Sequence, residues 1–168
     1  MTGIRVTYSG LISFAAGIFT IITGLGFMII VTRMLSPSEY GTWGVITGLL
    51  VYAMVFDTII GYWTQRDIAR DKKSGKTAFM SSGIISILGI IVYFIASFVM
   101  GTQNHLNYEV LLLAIILVPL RSFNKIITAI NAGWKPEANS YATLIAEIFK
   151  IPIGIILLYF MELKIEGV

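Results

Sequence analysis

The sequence predicts an all-α membrane protein of about five transmembrane helices, with its amino terminus on the cytoplasmic side. Three observations carry that expectation. First, only 12% of the 168 residues are charged and 57% are hydrophobic, with a mean hydropathy of +0.85. A soluble domain carries about 25% charged residues, so this mixture cannot cover a water-facing surface. Second, apolar runs long enough to cross a bilayer, about 20 residues, recur along the chain. Third, Lys and Arg collect in alternate connections instead of spreading evenly. The length suits one transmembrane domain over residues 1–168. The formal net charge is only +3, and the clustering leaves no basic face for nucleic acid. Cysteine is absent, which removes disulfides, thiol nucleophiles and cysteine metal sites.

The first span is read over Val6 to Thr32, which holds no charge. It is too long for a cleaved signal and lacks a small-residue cleavage site at its far end. It ends near Arg33, and a second helix begins at Pro37. Ser36 suits an N-cap, Pro37 the first helical position and Glu39 the third, a capping box. So short a link predicts an antiparallel helical hairpin, with Tyr40 and Trp43 at head-group level. The second span, Gly41 to Gln65, carries only Asp57, and its Gly44 and Gly48 would permit close helix approach. A basic loop follows, with Arg66, Arg70, Lys72, Lys73 and Lys76 around Asp67 and Asp71. Two aspartates here suggest a metal-binding pair, but five neighbouring cations favour a solvated loop with local ion pairs. The third span is Thr77 to Asn107, the fourth Val110 to Trp134 with Arg121 and Lys125, and the fifth Ala138 to Met161 with Glu147 and Lys150. Arg5, the basic loop and Lys135 fall on one side. The other side has Arg33, the Lys- and Arg-free stretch Thr102 to Tyr108, and Lys164 among acids. The lone His105 is read as a loop residue.

Polar residues inside the spans follow helical spacing. The fourth span places Arg121, Asn124, Lys125, Thr128 and Asn131 on one face, opposite Ile126, Ile127 and Ile130. The fifth offers Ser140, Thr143, Glu147, Lys150 and Gly154, and the third Ser82, Ser86, Gly89, Tyr93 and Ser97. The first offers Ser13, Gly17, Thr20 and Gly24, and the second Thr47, Asp57 and Gly61. Small-residue stripes in the first and third spans serve helix packing. A charge at the bilayer centre costs about 2.5–3.5 kcal/mol and normally faces a bundle interior or water. Arg121 and Lys125, one turn apart, repel each other unless an anion or carboxylate lies between them; Arg121 has the alternative of snorkelling to the interface. Glu147 and Lys150 can pair within their helix as a structural bridge. Asp57 can bind a coupling proton or cation, or neutralise Arg121 or Lys125. A cavity lined by Arg and Lys suits a phosphate-bearing amphiphile. Arg121 and Lys125 are therefore the residues expected to face such an anion.

The turn Leu35-Ser36-Pro37-Ser38-Glu39-Tyr40-Gly41 resembles the L-x-P-x-E-Y-G turn after the first helix of Wzx-type polysaccharide-export flippases, a branch of the MATE-like multidrug/oligosaccharidyl-lipid/polysaccharide exporter superfamily. Ile60-Gly61-Tyr62-Trp63-Thr64-Gln65-Arg66-Asp67-Ile68-Ala69-Arg70 is similar to that family's second-helix ending and basic loop. The likeness runs over roughly residues 5 to 165. It implies part of one six-helix lobe of a two-lobed fold. It also implies alternating-access flipping of a polyprenyl-linked oligosaccharide across the cell membrane, with a cationic cavity for the lipid phosphates; Arg121, Lys125 and Lys150 are the positional candidates for that substrate-binding role, and Asp57 and Glu147 the weaker candidates for coupling. The family has twelve to fourteen helices, so five helices predict an amino-terminal fragment whose partners are the bilayer, the lipid-linked substrate and the remaining helices.

Two other functions stay open: a cation-coupled small-molecule exporter of the same superfamily, and a non-transporting membrane assembly subunit. An enzyme is disfavoured, because the sequence shows no nucleophile–base pair, metal cluster, phosphate loop or cofactor motif. Gly24-Leu25-Gly26 lies within an apolar run and is no phosphate-binding loop.

Overall fold

The computed structural model describes residues 6–104 and 108–156. His105, Arg5, and the stretch 157–168 with the end of the fifth predicted span lie outside them. The described chain is helical, with no strand: α1 (Val6–Met34), α2 (Pro37–Ala53), α3 (Val55–Ala69), α4 (Gly75–Asn104), α5 (Tyr108–Leu113), a 3₁₀ turn at Ala114–Ile116, α6 (Leu117–Trp134) and α7 (Pro136–Ile155). Three helical stretches are long and apolar enough to cross a membrane: Tyr8–Met34, Gly75–Gly101 and Tyr108–Trp134. The bent pair α2–α3 raises the number to four when taken as one span. The described residues thus form an all-α chain suited to a membrane, with three or four spans among them against the five expected. The fifth, α7, is 20 residues long. Asn139, Glu147 and Lys150 dilute its apolar character over the described residues.

The chain forms two compact units, one from residues 1–40 and 135–168, the other from residues 41–134. In the first, α1 and α7 run parallel, since partners climb together along both helices. Ser9 bonds Glu137, Ser13 bonds Ser140, Thr23 bonds Glu147, and Gly154 meets Phe27. The packing face of α1 is Ser9, Ala16, Thr23 and Val31, all buried. That is one position away from the expected Gly17–Gly24 stripe, and a Cβ added at either glycine meets nothing within 4 Å. The turn after α1 is the predicted capping box. The Ser36 amide donates to Glu39 Oε2 at 2.8 Å, and the Glu39 amide donates to Ser36 Oγ at 3.3 Å. Val31 and Leu35 are buried at the turn, with Phe27, Ile30 and Tyr40 packed against them.

The second unit is a bundle of α3, α4 and α6. Asp57, Gly61 and Gln65 on α3 meet Ser122, Ala129 and Gly133 on α6, so these helices run parallel. On α4, Gly75, Gly83 and Gly89 meet Ile130, Phe123 and Val118, so α4 runs antiparallel to α6. The α4 stripe Ser82, Ser86, Gly89, Tyr93 and Ser97 is buried throughout, which is the packing role expected of small residues. Pro119, in the first turn of α6, lacks an amide, and its ring clashes with the carbonyl four residues back. That carbonyl belongs to Ile115, inside the 3₁₀ turn that interrupts the span. The second predicted span is likewise not one helix. It breaks at Met54 with a 52° bend, and its second half runs on through Arg66 to Ala69, where a loop was expected. At the break the Asp57 amide bonds the Met54 carbonyl, three residues back. The Ala53 carbonyl, relieved of its usual partner, lies 2.8 Å from where a Cβ on Gly89 would stand.

Close helix approach therefore occurs elsewhere than expected. An added Cβ at Gly44 or Gly48 meets no described atom within 4 Å, whereas at Gly133 it meets the Gln65 carbonyl at 2.7 Å and Ile68 at 3.0 Å. Backbone cannot retreat as a flexible side chain can. Gly133→Ala should lower stability by about 1–3 kcal/mol through overpacking. Gly48→Ala should be neutral or stabilising by up to about 1 kcal/mol through helix propensity. Thermal unfolding of the detergent-solubilised chain measures both; equal effects would contradict the α3–α6 contact.

Candidate functional site

The α6 helix divides its residues between two faces. Val118, Ser122, Ile126 and Ala129 are buried against the second unit's core. Arg121, Asn124, Lys125 and Thr128 occupy the other face and, with Met54 and Leu120, line an open groove of about 530 Å³. Ile127, expected opposite the polar face, is 49% exposed, while Ile126 is fully buried. Arg121 and Lys125 thus come together as the sequence predicted. Among the described residues no carboxylate lines the groove. Lys125 Nζ donates to Thr58 Oγ1 at 2.7 Å, and Arg121 has no ion pair among the described residues.

Asp57 does not neutralise either cation. It is 1% exposed, points into the bundle, and accepts a hydrogen bond from Ser122 Oγ. Its other oxygen, Oδ1, is buried with no hydrogen-bond partner among the described residues. The reason is rotational. Neighbouring residues on a helix point about 100° apart. Thr58 therefore faces the groove while Asp57 faces the core, and Ser122 sits behind Arg121. Ser82 Oγ approaches the Ser122 carbonyl at 3.5 Å, so three helices contribute polar groups at this level.

Lys150 and Glu147 belong to the first unit, where they pair with each other. Glu147 also accepts from Thr23 Oγ1, and the Lys150 ammonium lies 5.9 Å from the Phe27 ring centroid. This is the geometry of the structural bridge that the i, i+3 spacing allowed. Thr143, counted in the same stripe, is exposed and takes no part.

The sequence reading missed Ser122, Thr58, Thr23 and the break at Met54. Ser122 had a signal: Val118, Ser122, Ile126 and Ala129 follow three-and-four spacing behind the charged face. Thr23 had a weaker one, the seven-residue interval with Ala16 and Ser9. The break had none, because no Gly or Pro stands between Val51 and Phe56.

Compared with protein-family models, with curated proteins and with solved structures, the chain matches none.

Two predictions follow from the polar pairs. Ser122→Ala strips a buried carboxyl of its one partner and should cost about 1–3 kcal/mol of stability. Removing both partners in Asp57→Leu/Ser122→Ala should recover part of that loss, as read from thermal unfolding. In the first unit, Lys150→Met leaves Glu147 without its cation and should lower stability by about 1–2 kcal/mol. Adding Glu147→Gln should restore most of it; strict additivity of the two substitutions would mean the pair is not coupled.

Proposed function

We propose that the chain takes part in moving a polyprenyl-linked oligosaccharide across the cell membrane by alternating access, with Arg121 and Lys125 holding the lipid phosphates. One observation carries this reading: two cations one helical turn apart line an open groove that holds no carboxylate among the described residues. Arg121 and Lys125 side by side are unfavourable until an anion sits between them. A phosphate does so well, because the guanidinium offers paired donors and the ammonium a compact charge. Met54 and Leu120 supply an apolar border for the lipid end of such a ligand, and Asn124 and Thr128 supply hydrogen-bonding groups for its sugar end. The resemblance of the Leu35–Gly41 turn and the Ile60–Arg70 segment to Wzx-type flippases points the same way. On this reading the chain works as part of a MATE-like lobe with further helices. Lys150 lies in the first unit, where Glu147 engages it, and is not needed for this groove.

A cation-coupled small-molecule exporter is the second reading, and Asp57 favours it. A buried carboxylate with an unpartnered oxygen beside a broken span suits a coupling proton or cation, and the same role in the flippase reading falls to Asp57 with Glu147. A cationic groove suits a positively charged drug poorly, which ranks the flippase first.

The test is surface-glycan display in cells that depend on the gene. Arg121→Ala/Lys125→Ala should reduce display by at least about tenfold, the loss of one charge-assisted contact or more. Membrane insertion and protein level should stay unchanged. Normal display would remove these two residues from the substrate site.

A further inference from the structure

The strongest concentration of positive charge lies away from the α6 groove, where α3 gives way to α4. The α3 helix closes with the Arg70 and Lys72 amides on the Asp67 carbonyl, the Asp71 amide on the Ile68 carbonyl, and Asp71 at a φ of 60°. This is a Schellman-type ending with aspartate in the left-handed position that glycine usually takes. It turns the chain sharply, so that Lys72, Lys73 and Lys76 join Arg66 and Arg70 at one end of the second unit. Arg70, Lys73 and Lys76 are exposed and form no ion pair among the described residues. Asp67 is occupied by Lys72, Nζ to Oδ1 at 3.0 Å.

Beside this turn, α3 and α4 enclose a groove of about 230 Å³. Ile59, Ile60 and Trp63 of α3 form an apolar wall that faces Ser74, Thr77 and Ser81 of α4; Asp67 also lines the groove, beside the turn, with its carboxylate held by Lys72. The Arg66 guanidinium lies over the Trp63 ring, 5.5 Å from its centroid. Ser74 Oγ is buried and has no hydrogen-bond partner among the described residues.

We propose that this groove binds an anionic glycerophospholipid. The phosphate sits against Ser74 and the cations of the turn, and the first carbons of an acyl chain lie along Ile59, Ile60 and Trp63. Free inorganic phosphate would use the cations and leave the apolar wall in water. A neutral apolar ligand would use the wall and leave Ser74 and three unpaired cations idle. A zwitterionic lipid supplies the phosphate but brings an ammonium group into a cationic surrounding. An anionic head group satisfies both ends, and basic residues beside a membrane span attract such lipids electrostatically. The site is separate from the α6 groove and holds whether or not the chain transports anything.

Brominated lipids quench a tryptophan they touch, so Trp63 is the reporter. The full chain with Trp43→Phe and Trp134→Phe, reconstituted in phosphatidylcholine bilayers, is titrated with brominated phosphatidylglycerol and separately with brominated phosphatidylcholine. Brominated phosphatidylglycerol should quench Trp63 with at least about threefold higher apparent affinity. Arg70→Gln/Lys73→Gln/Lys76→Gln should bring the ratio to about one. A ratio near one before those substitutions, or one unchanged by them, overturns the proposal. Displacement of the lipid by millimolar inorganic phosphate also overturns it, since the site would then be a simple anion site. Native mass spectrometry of the unsubstituted chain gives an independent reading that needs no tryptophan replacement. Phosphatidylglycerol should outlast phosphatidylcholine on delipidation, and equal retention counts against the site.

Discussion

Everything in the second unit is arranged around a carboxyl group that cannot reach water. Asp57 is 1% exposed on the second half of the bent α2–α3 pair, and the Ser122 hydroxyl is its partner among the described residues. A polar group in such surroundings must be bonded or it destabilises the fold, so the contact fixes how α6 is rotated against α3. With Ser122 turned inward, Arg121 and Lys125 have to turn outward. The groove is the other side of the same constraint. Gly133 then sets the distance between the two helices at their far end, because nothing larger fits against the Gln65 carbonyl.

The break at Met54 belongs to this arrangement. A continuous helix would carry Ala53 and Asp57 in one ladder of hydrogen bonds. Here the Asp57 amide turns to Met54, and the Ala53 carbonyl leans on Gly89 of α4. Irregular backbone at membrane depth persists only where protein or a hydrated cavity surrounds it. The break has the packed α4 stripe on one side and, on the other, the groove that Met54 itself lines.

Much of this was legible in the residues. Composition and the recurring apolar runs pointed to the all-α membrane class, and the Ser36–Glu39 capping box placed the first turn within a residue or two of where it lies. The α4 stripe was assigned to packing and is buried. The charged face of α6 was visible because Arg and Lys are rare in such segments and their spacing is helical. What stayed hidden depends on contacts distant in sequence. Nothing near Asp57 announces that a serine sixty-five residues later, and not a cation, will answer it. The four-residue spacing of Gly44 and Gly48 suggested close packing, yet the tight approaches fall at Gly89 and Gly133, where the partner is backbone from another helix. The span count was overestimated at the end that carries Glu147 and Lys150, because apolar length and burial of charge compete there.

The α1–α7 pairing has a consequence for biosynthesis. Thr23 and its acceptor Glu147 are separated by 124 positions. A ribosome adding about 5–20 residues per second needs roughly 6–25 seconds to bridge that interval. During that wait α1 exists without its mate, and its hydroxyls need a provisional acceptor. The helix provides one: the Phe19 carbonyl stands 2.9 Å from Thr23 Oγ1, ready to accept its proton in place of Glu147, and Thr32 Oγ1 donates to the Met28 carbonyl. These back-bonds let Thr23 and Thr32 dwell in lipid with their hydroxyls satisfied until α7 emerges and exchange becomes possible.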